Sequence, residues 1–307
     1  MIAILGAGGA ISNELCRQLA ASNTPFRLVS RRATRRAGKC EGAPADLTDQ
    51  EQTVAAVQGA SVAFLTAGLA YDRRVWADSW PRIMANTIEA CKRANARLVF
   101  FDNVYMYGRV HGAMTEDTPF RPASRKGEIR ARVATMLMEE WKAGRLTAMI
   151  ARSADFYGPG VAHGLPNLMV FDPLHKGKAA TCLASDDEPH AYTYVPDAVR
   201  ALLRLVSDLS AWNQTWHLPT APNPPTGRHF IRAAAEALGV EAKYRVLEPW
   251  MVRLGGLLDP QAREVHEMLY QNEAPYLFDS QKISLAFKMT ATPYDEGIRA
   301  TAAAYRS

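Results

Sequence analysis

The sequence predicts an α/β protein with a doubly wound parallel sheet and a smaller C-terminal substrate-binding lobe. Short apolar runs alternate five times with helical patterns, and these runs are almost continuously apolar. Continuous apolar runs indicate strands that are buried on both faces, as in a parallel sheet covered by helices. The 307 residues, 48% of them hydrophobic, suffice for one large core or for a core and a lobe.

The elements can be placed in order along the chain. Apolar runs predict strands at 2–5, 26–30, 62–68, 97–102 and 146–153, and a late strand at 215–219. Apolar residues at helical spacing predict helices after Gly9, over 47–59 with Thr48 as the cap, and over 80–95, 125–143 and 196–208.

Beyond about residue 155 this alternation loosens and prolines gather, which predicts the start of a second lobe. We predict a dinucleotide-binding domain over 1–160, with segments near 191–220 returning to its sheet. The remaining residues, 161–307, are predicted to form mainly the smaller substrate-binding lobe.

The composition argues against several classes of function. The net charge is +5, but the only dense basic cluster, at 30–36, suits a phosphate-bearing small ligand better than a nucleic acid. No stretch approaches the roughly 18 apolar residues that span a bilayer, and the first residues lack the basic region of a signal peptide. Four scattered cysteines without metal-ligand spacing predict reduced thiols, no metal site and a cytoplasmic protein.

The stretch GAGGAIS after the first strand predicts a dinucleotide-binding loop. Gly6 permits a tight turn, and Gly9 lets the backbone approach a pyrophosphate that the next helix N-terminus would face. Ser12 stands where a third glycine is usual and is small enough for close packing. The residues predicted to hold the cofactor here are Gly6, Gly8, Gly9, Ala10 and Ile11.

The end of the second strand indicates which dinucleotide is bound. NAD enzymes usually have an acid at this point that accepts from the ribose 2′-hydroxyl. This chain has Ser30, Arg31 and Arg32 instead. Because a 2′-phosphate suits an Arg fork, NADP is favoured over NAD.

Further motifs follow along the chain: ADLTD with Asp46 and Leu47, TAG at 66–68, DNVYMYG at 102–108, DFYGPG at 155–160, YTYVPDAVRA at 192–201 and TPYDEGIRA at 292–300. Together they resemble signatures of the extended short-chain dehydrogenase/reductase superfamily, in its epimerase/dehydratase branch. The resemblance covers almost the whole chain and implies a Rossmann fold, a nicotinamide cofactor and a small-molecule substrate. It also implies cofactor contacts at Asp46, Leu47, Ala67 and Gly68 and, by analogy, a homodimer through the helices at 80–95 and 125–143.

In the resembled family a Tyr and a Lys four residues apart carry the chemistry, and a Ser or Thr polarises the substrate oxygen. Here these positions fall on Lys126, Arg130 and Asn103. Arg130 can still contact the cofactor ribose but cannot give up its proton. Lys126, also a predicted cofactor contact, would lose its proton more readily beside that charge and could act as general acid or base. Tyr105 or Tyr107 could supply the proton instead, or this position carries no catalysis.

The substrate side departs from nucleotide-sugar enzymes of the family. There an Arg that binds the sugar diphosphate occupies the place of His190, and here the acids at 186–188 precede it. Acids beside a diphosphate would repel it, which argues against a nucleotide-sugar substrate. The substrate contacts that the resemblance implies are Asp155, Tyr157 and His190.

The leading hypothesis is an NADP-dependent oxidoreductase or epimerase-type enzyme that acts on a carbonyl or hydroxyl carbon of a small organic molecule. Because the usual Tyr is replaced by Lys126, two alternatives stay open at this point. One is a non-redox lyase, isomerase or hydrolase on the same scaffold. The other is a non-catalytic NADP sensor that binds a protein partner.

Overall fold

The protein is described by a computed structural model that covers residues 1–33 and 39–306. These residues form two compact units. The first unit comprises 1–106, 126–152 and 199–216, and the second comprises 107–125, 153–198 and 217–307. The units therefore interleave along the chain, with 107–125 in the second unit and 199–216 in the first. The assignment of cofactor binding and substrate binding to separate parts stays a prediction.

The elements have the following bounds. The strands are β1 (Ile2–Leu5), β2 (Phe26–Ser30), β3 (Cys40–Pro44), β4 (Val62–Leu65), β5 (Arg97–Asp102), β6 (Ala113–Met114), β7 (Ala148–Arg152), β8 (Asp155–Tyr157), β9 (Ala180–Leu183), β10 (Tyr192–Tyr194), β11 (Thr215–His217), β12 (Tyr244–Leu247) and β13 (Leu277–Phe278). The helices are α1 (Ala10–Ala21), α2 (Gln50–Val57), α3 (Arg73–Ala94), α4 (Arg125–Lys142), α5 (Asp172–His175), α6 (Val195–Val206), α7 (Gly227–Leu238), α8 (Pro249–Leu258), α9 (Pro260–His266), α10 (Gln281–Phe287) and α11 (Tyr294–Ala304).

The first unit is built on a seven-stranded sheet with the order β11-β7-β5-β4-β1-β2-β3. Strands β1, β2, β3, β4, β5 and β7 pair in parallel. From β1 the chain builds the sheet first toward β3 and then, from β4, in the opposite direction. This arrangement confirms the predicted α/β fold and places β1 at the point where the strand order reverses, which is where open α/β sheets bind their ligands.

The second unit contains short parallel strand pairs, β8 with β10, β9 with β12, and β6 with β13. A single apolar core joins β8 to helices α7 and α11. Its fully buried members include Tyr157, Phe171, Phe230 and Ile298. Within the described ranges, every helix of the chain is too short or too polar to cross a bilayer.

Two helices begin at other residues than the sequence suggested. Helix α2 begins at Gln50 because the Asp49 side chain, and not Thr48, accepts the backbone N–H of Gln52. Helix α3 extends back to Arg73, since the Asp72 side chain caps its N-terminus. An Asp with extended backbone satisfies helix N–H groups that lack an intrahelical partner, so it sets the start of the helix.

Candidate functional site

The loop after β1 is held against the neighbouring strands. Gly6 has φ +102°, and the amides of Gly6 and Ala7 both donate to the carbonyl of Val29 at 3.0 Å. A Cβ atom on Gly6 would lie 2.3 Å from the Cα of Ala67, in the loop after β4. Only glycine fits this position, and its fit brings two predicted cofactor residues, Gly6 and Ala67, into contact.

The next part of the loop is open. Gly8 has φ +98° with nothing within 4 Å of the place that a Cβ would take, and a Cβ on Gly9 would meet only the Ser12 hydroxyl at 3.9 Å. Gly9 is the N-cap residue of α1 and has no side chain that could bond to the amides of the helix. The first turn, which holds Ala10 and Ile11, contains no acidic residue. These first-turn amides have no intrahelical partner, so they are available to an anion. The loop therefore fits a dinucleotide pyrophosphate.

The structure separates two effects of a methyl group in this loop. Gly6→Ala is expected to lower the free energy of unfolding by about 2–3 kcal/mol, because the methyl meets backbone and φ is positive. Gly9→Ala is expected to change stability by less than about 0.5 kcal/mol, since φ is −84° and the space is open. Gly9→Ala should nevertheless weaken dinucleotide binding at least about tenfold. Urea unfolding and calorimetry measure the two effects, and unchanged binding by Gly9→Ala would contradict the assigned pyrophosphate position.

Basic side chains lie at the end of β2. Arg31 and Arg32 are exposed, and residues 34–36 of the basic cluster lie outside the described residues. Hydrogen bonds from the backbone and side chain of Thr48 lower the pKa of Asp46, and the charges of Arg31 and Arg82 lower it further. Asp46, a predicted adenine-side contact, is therefore a fixed carboxylate in a basic surrounding.

Two other predicted cofactor residues, Leu47 and Gly68, differ in their surroundings. Leu47 is buried, and its carbonyl accepts from the side-chain amide of Asn86 in α3 at 3.0 Å. Gly68, after β4, has nothing within 4 Å of the position that a Cβ would take. Ser30 ends β2, and its carbonyl accepts the amide of Ala45, which ties the strand end to the chain after β3.

A row of aromatic rings lies beside the first turns of α3. We call it the aromatic row; its members are Tyr71, Trp76, Trp80, Phe100 and Tyr105. The Trp76 ring lies 5.9 Å from Tyr71 and 6.2 Å from Trp80, edge to face, and Trp80 lies 6.2 Å from Phe100. The Tyr105 ring stacks on Trp76 at 6.2 Å. The negative faces of these rings favour cations beside them.

Lys126 lies in the first turn of α4 and is fully buried. Its Nζ is 4.4 Å from the centre of the Tyr71 ring, which is a cation–π distance. A backbone hydrogen bond from Arg74 chiefly lowers the pKa of Asp72, and the charge of Lys126 contributes to the same shift. The Lys126 side chain is thus buried at one end of the aromatic row.

Arg130, one helical turn later, lies at the other end of the row. Its guanidinium carbon is 4.3 Å from the centre of the Trp80 ring and 4.8 Å from that of Phe100. Its Nε donates to Oδ1 of Asp102 at 2.8 Å, and its terminal nitrogen pairs with the same oxygen. The side chain is 3% exposed. Arg130 is therefore anchored to a carboxylate, which sequence reasoning did not anticipate.

Asp102 is the centre of this cluster. Besides Arg130, it accepts the backbone N–H of Asn103 at 2.9 Å, and its Oδ2 lies 3.7 Å from Nε of the buried Arg152. Asp102 and Arg152 face each other in register across β5 and β7. Sequence reasoning missed Asp102, Arg152 and Tyr71. One signal in the sequence was that apolar runs on two neighbouring strands both end in a charge.

The three other predicted catalytic residues take different positions. Asn103 is half-buried, and its Oδ1 accepts the backbone N–H of Tyr105 at 3.1 Å, so its amide NH₂ is directed elsewhere. Tyr105 belongs to the aromatic row. Tyr107 is 1% exposed and its hydroxyl is 2.9 Å from Nε2 of His217. Because Nδ1 of His217 donates to the carbonyl of Asp279, Nε2 is the acceptor and Tyr107 the donor. Tyr107 therefore has a structural bond to maintain.

The predicted substrate residues lie in the second unit. Nε2 of His190 and Oδ2 of Asp155 are 2.9 Å apart, so these two are brought together. Tyr157 is 1% exposed in the apolar core, burial raises the pKa of its hydroxyl, and a Cβ on Gly297 would lie 2.3 Å from that oxygen. The Tyr157 side chain therefore packs against α11 in the apolar core, and its role as a substrate contact stays a prediction.

A protein-family model described as the NAD dependent epimerase/dehydratase family matches residues 2–216. The chain belongs to this family. The match confirms the resemblance drawn from the motifs, and it assigns the chain to a family of nicotinamide-dependent enzymes. No curated protein sequence matches the chain significantly.

Several solved structures have the same fold as this chain. UDP-glucose 4-epimerase of Thermus thermophilus, in complex with NAD, has a TM-score of 0.81 and 19% identity, over 100% of this chain and 99% of that one. UDP-glucose 4-epimerase of Thermotoga maritima, with UDP-glucose, has a TM-score of 0.80 and 17% identity, over 99% of this chain and 98% of that one. dTDP-glucose 4,6-dehydratase of Bacillus anthracis, in complex with NAD, has a TM-score of 0.80 and 16% identity, over 99% of this chain and 96% of that one.

Proposed function

We propose that the chain is an NADP-dependent oxidoreductase or epimerase-type enzyme that acts on a carbonyl or hydroxyl carbon of a small organic molecule. In this proposal Lys126 takes the place of the family's tyrosine as the group that exchanges a proton with the substrate oxygen. The observation that carries the proposal is the burial of Lys126 against Tyr71 at the first turn of α4. A nicotinamide, when bound, supplies a hydride donor or acceptor.

The residues of this chain have separate roles in the proposal. Lys126 holds a proton at Nζ and, being buried, exchanges it without competition from bulk water. Arg130 keeps a fixed positive charge one turn away, where Asp102 orients it. The amide of Asn103 donates to the substrate oxygen. Tyr105, stacked on Trp76, is the alternative proton donor.

The preference for NADP rests on this chain alone, since two of the solved relatives described above contain NAD. Arg31 and Arg32 are exposed at the end of β2, where they can form a fork around a 2′-phosphate. The loop Gly6–Gly9 and the uncapped start of α1 support pyrophosphate binding by either dinucleotide.

Calorimetry with NADP and NAD tests the cofactor proposal. The double variant Arg31→Ala/Arg32→Ala is expected to lose at least about tenfold in NADP affinity, because two phosphate-binding cations are removed, and to bind NAD nearly unchanged. Arg93→Ala/Arg145→Ala removes the same charge from two exposed ion pairs elsewhere in the unit and serves as the control. An equal loss for both dinucleotides, or no loss, would contradict the preference.

A non-catalytic NADP sensor is the second candidate. It is favoured by one observation: Arg130, at the position of the family's lysine, is held by Asp102 and packed between aromatic rings. NADPH absorbance measured against a panel of aldehydes and ketones distinguishes the two candidates. Turnover supports the enzyme, whereas tight NADP binding without turnover and a co-purifying protein support the sensor. The cytoplasmic location and the homodimer through α3 and α4 stay predictions.

A further inference from the structure

A pocket that is partly open to solvent lies within the second unit. It is bounded by β8, β9, β10, the π-helical turn Asn167–Phe171 and the start of α7. Its apolar wall includes Leu165, Met169, Val170, Leu183, Phe230 and Ile231.

Asp155 and His190 form an oriented pair in the pocket lining, which also includes the polar residues Thr181, Tyr192 and Asn272. The imidazole stacks on Tyr276 at 4.3 Å with an interplanar angle of 13°, and it also contacts Tyr192 at 4.8 Å. The ring is therefore held in one orientation, with Nε2 on Oδ2 of Asp155. Among the hydrogen bonds of the described residues, none engages Oδ1 of Asp155, so this carboxylate oxygen can accept a bond from a ligand.

The described residues that line the pocket include no Lys or Arg. Their acidic residue is Asp155, whose Oδ2 is paired with His190. Arg228, which follows the lining residue Gly227, pairs with Asp186 and Asp187. The sequence analysis expected the acids at 186–188 beside the substrate. In the structure, Asp186 and Asp187 form ion pairs with Arg228.

The start of α7 could also attract an anion, but three of its amides are occupied. The N–H of Arg228 donates to the carbonyl of Asp186 at 2.9 Å. The N–H of His229 donates to the Thr226 side chain, and that of Phe230 donates to the Thr226 carbonyl. A phosphate in this pocket would thus lack both a Lys or Arg partner and these helix donors, and it would face a carboxylate.

We propose that this pocket binds a phosphate-free substrate whose hydroxyl or amino groups donate to Asp155, and that it rejects nucleoside diphosphate sugars. The inference rests on the proposed function for its chemistry, but the binding itself needs no turnover. A hydroxyl or ammonium group satisfies the open carboxylate oxygen, while the apolar wall covers the carbon skeleton. A diphosphate would be desolvated beside a like charge without compensation.

Ligand-observed saturation-transfer NMR on the full chain, with and without NADP, tests this with four matched probes: D-glucosamine, D-glucose, D-glucose 1-phosphate and UDP-glucose. Glucosamine and glucose are expected to bind at least about tenfold more tightly than the two phosphorylated probes. Glucosamine is expected to bind more tightly than glucose because its ammonium group contacts the Asp155 carboxylate. Asp155→Asn is expected to remove this difference in affinity. Asp187→Asn, which changes an exposed carboxylate outside the pocket lining, should leave the order of affinities unchanged.

Binding of UDP-glucose as tight as that of glucosamine would overturn the inference, and so would the absence of binding by both unphosphorylated probes. Retention of the glucosamine advantage in Asp155→Asn would remove that residue from the site. NADP affinity of the same samples is measured separately. If the chain discriminates among the probes but does not bind NADP, the proposed function is contradicted and the pocket inference is supported. If the chain binds NADP but does not discriminate among the probes, the pocket inference is contradicted and the cofactor part of the proposed function is supported.

Discussion

Lys126→Met is expected to lower kcat by at least about a hundredfold, because it removes the proton-exchanging group from the active site. Methionine retains a long unbranched side chain in the buried space, so the packing against Tyr71 and the start of α4 should survive. The rate is measured by NADPH absorbance with a carbonyl compound that the wild-type chain reduces. Thermal unfolding and NADP calorimetry on the same sample show that the fold and the cofactor site are intact.

Two further variants make this result specific. Lys126→Arg keeps the positive charge but cannot release a proton at neutral pH, so it should be as slow as Lys126→Met. Lys142→Met makes the same change at an exposed position at the other end of α4 and should keep full activity. A kcat within about threefold of wild type for Lys126→Met would show that Lys126 does not transfer the proton. Tyr105→Phe would then be the next variant to measure.

Asp102→Asn is expected to lower the free energy of unfolding by about 3–5 kcal/mol, the largest effect on stability that we predict. The carboxylate lies between two buried guanidinium groups, Arg130 and Arg152, with side chains 3% and 1% exposed. A neutral amide cannot offset these charges, and desolvation of a charge without an opposite charge is costly. The midpoint of urea unfolding, together with the slope, reports the loss.

A surface pair provides the control for this prediction. Asp78→Asn breaks the exposed i, i+4 ion pair with Arg82 in α3, and it should cost less than about 0.5 kcal/mol. The double variant Asp102→Asn/Arg130→Met should lose less stability than the sum of the two single variants, since each single change leaves the other group buried. Additive losses, or a loss below about 1 kcal/mol for Asp102→Asn, would show that Asp102 does not balance the buried arginines.

The sequence predicted the first strand, the glycine loop and α1 correctly because their determinants are local. Gly6 must adopt a positive φ, and Ile11, Leu15 and Leu19 recur at helical spacing on the buried face of α1. The family was recognised for a related reason, since its motifs occupy strand ends and helix starts in a fixed order. The parallel sheet was predicted from continuous apolar runs, which mark every strand of the observed sheet except β3.

The sequence did not reveal β3, which has the residues CEGAP and is not apolar. It is an edge strand that pairs only with β2, so its residues are selected less by burial than those of the inner strands. The start of α3 was also missed, because the cap Asp72 stands eight residues before the first predicted helical residue and Pro81 lies within the helix. A proline inside a helix hides its continuity from a pattern of apolar spacing.

By itself, the sequence determined the fold class, the dinucleotide loop and the helical face that Lys126 and Arg130 share, because each depends on contacts over one or two turns of chain. Only the tertiary structure decided what those two cations face: a tyrosine ring for Lys126, and Asp102 with two aromatic rings for Arg130. It likewise brought Asp155 to His190 from 35 residues away. Such partners meet through the packing of whole strands and helices, so no local pattern of residues records them.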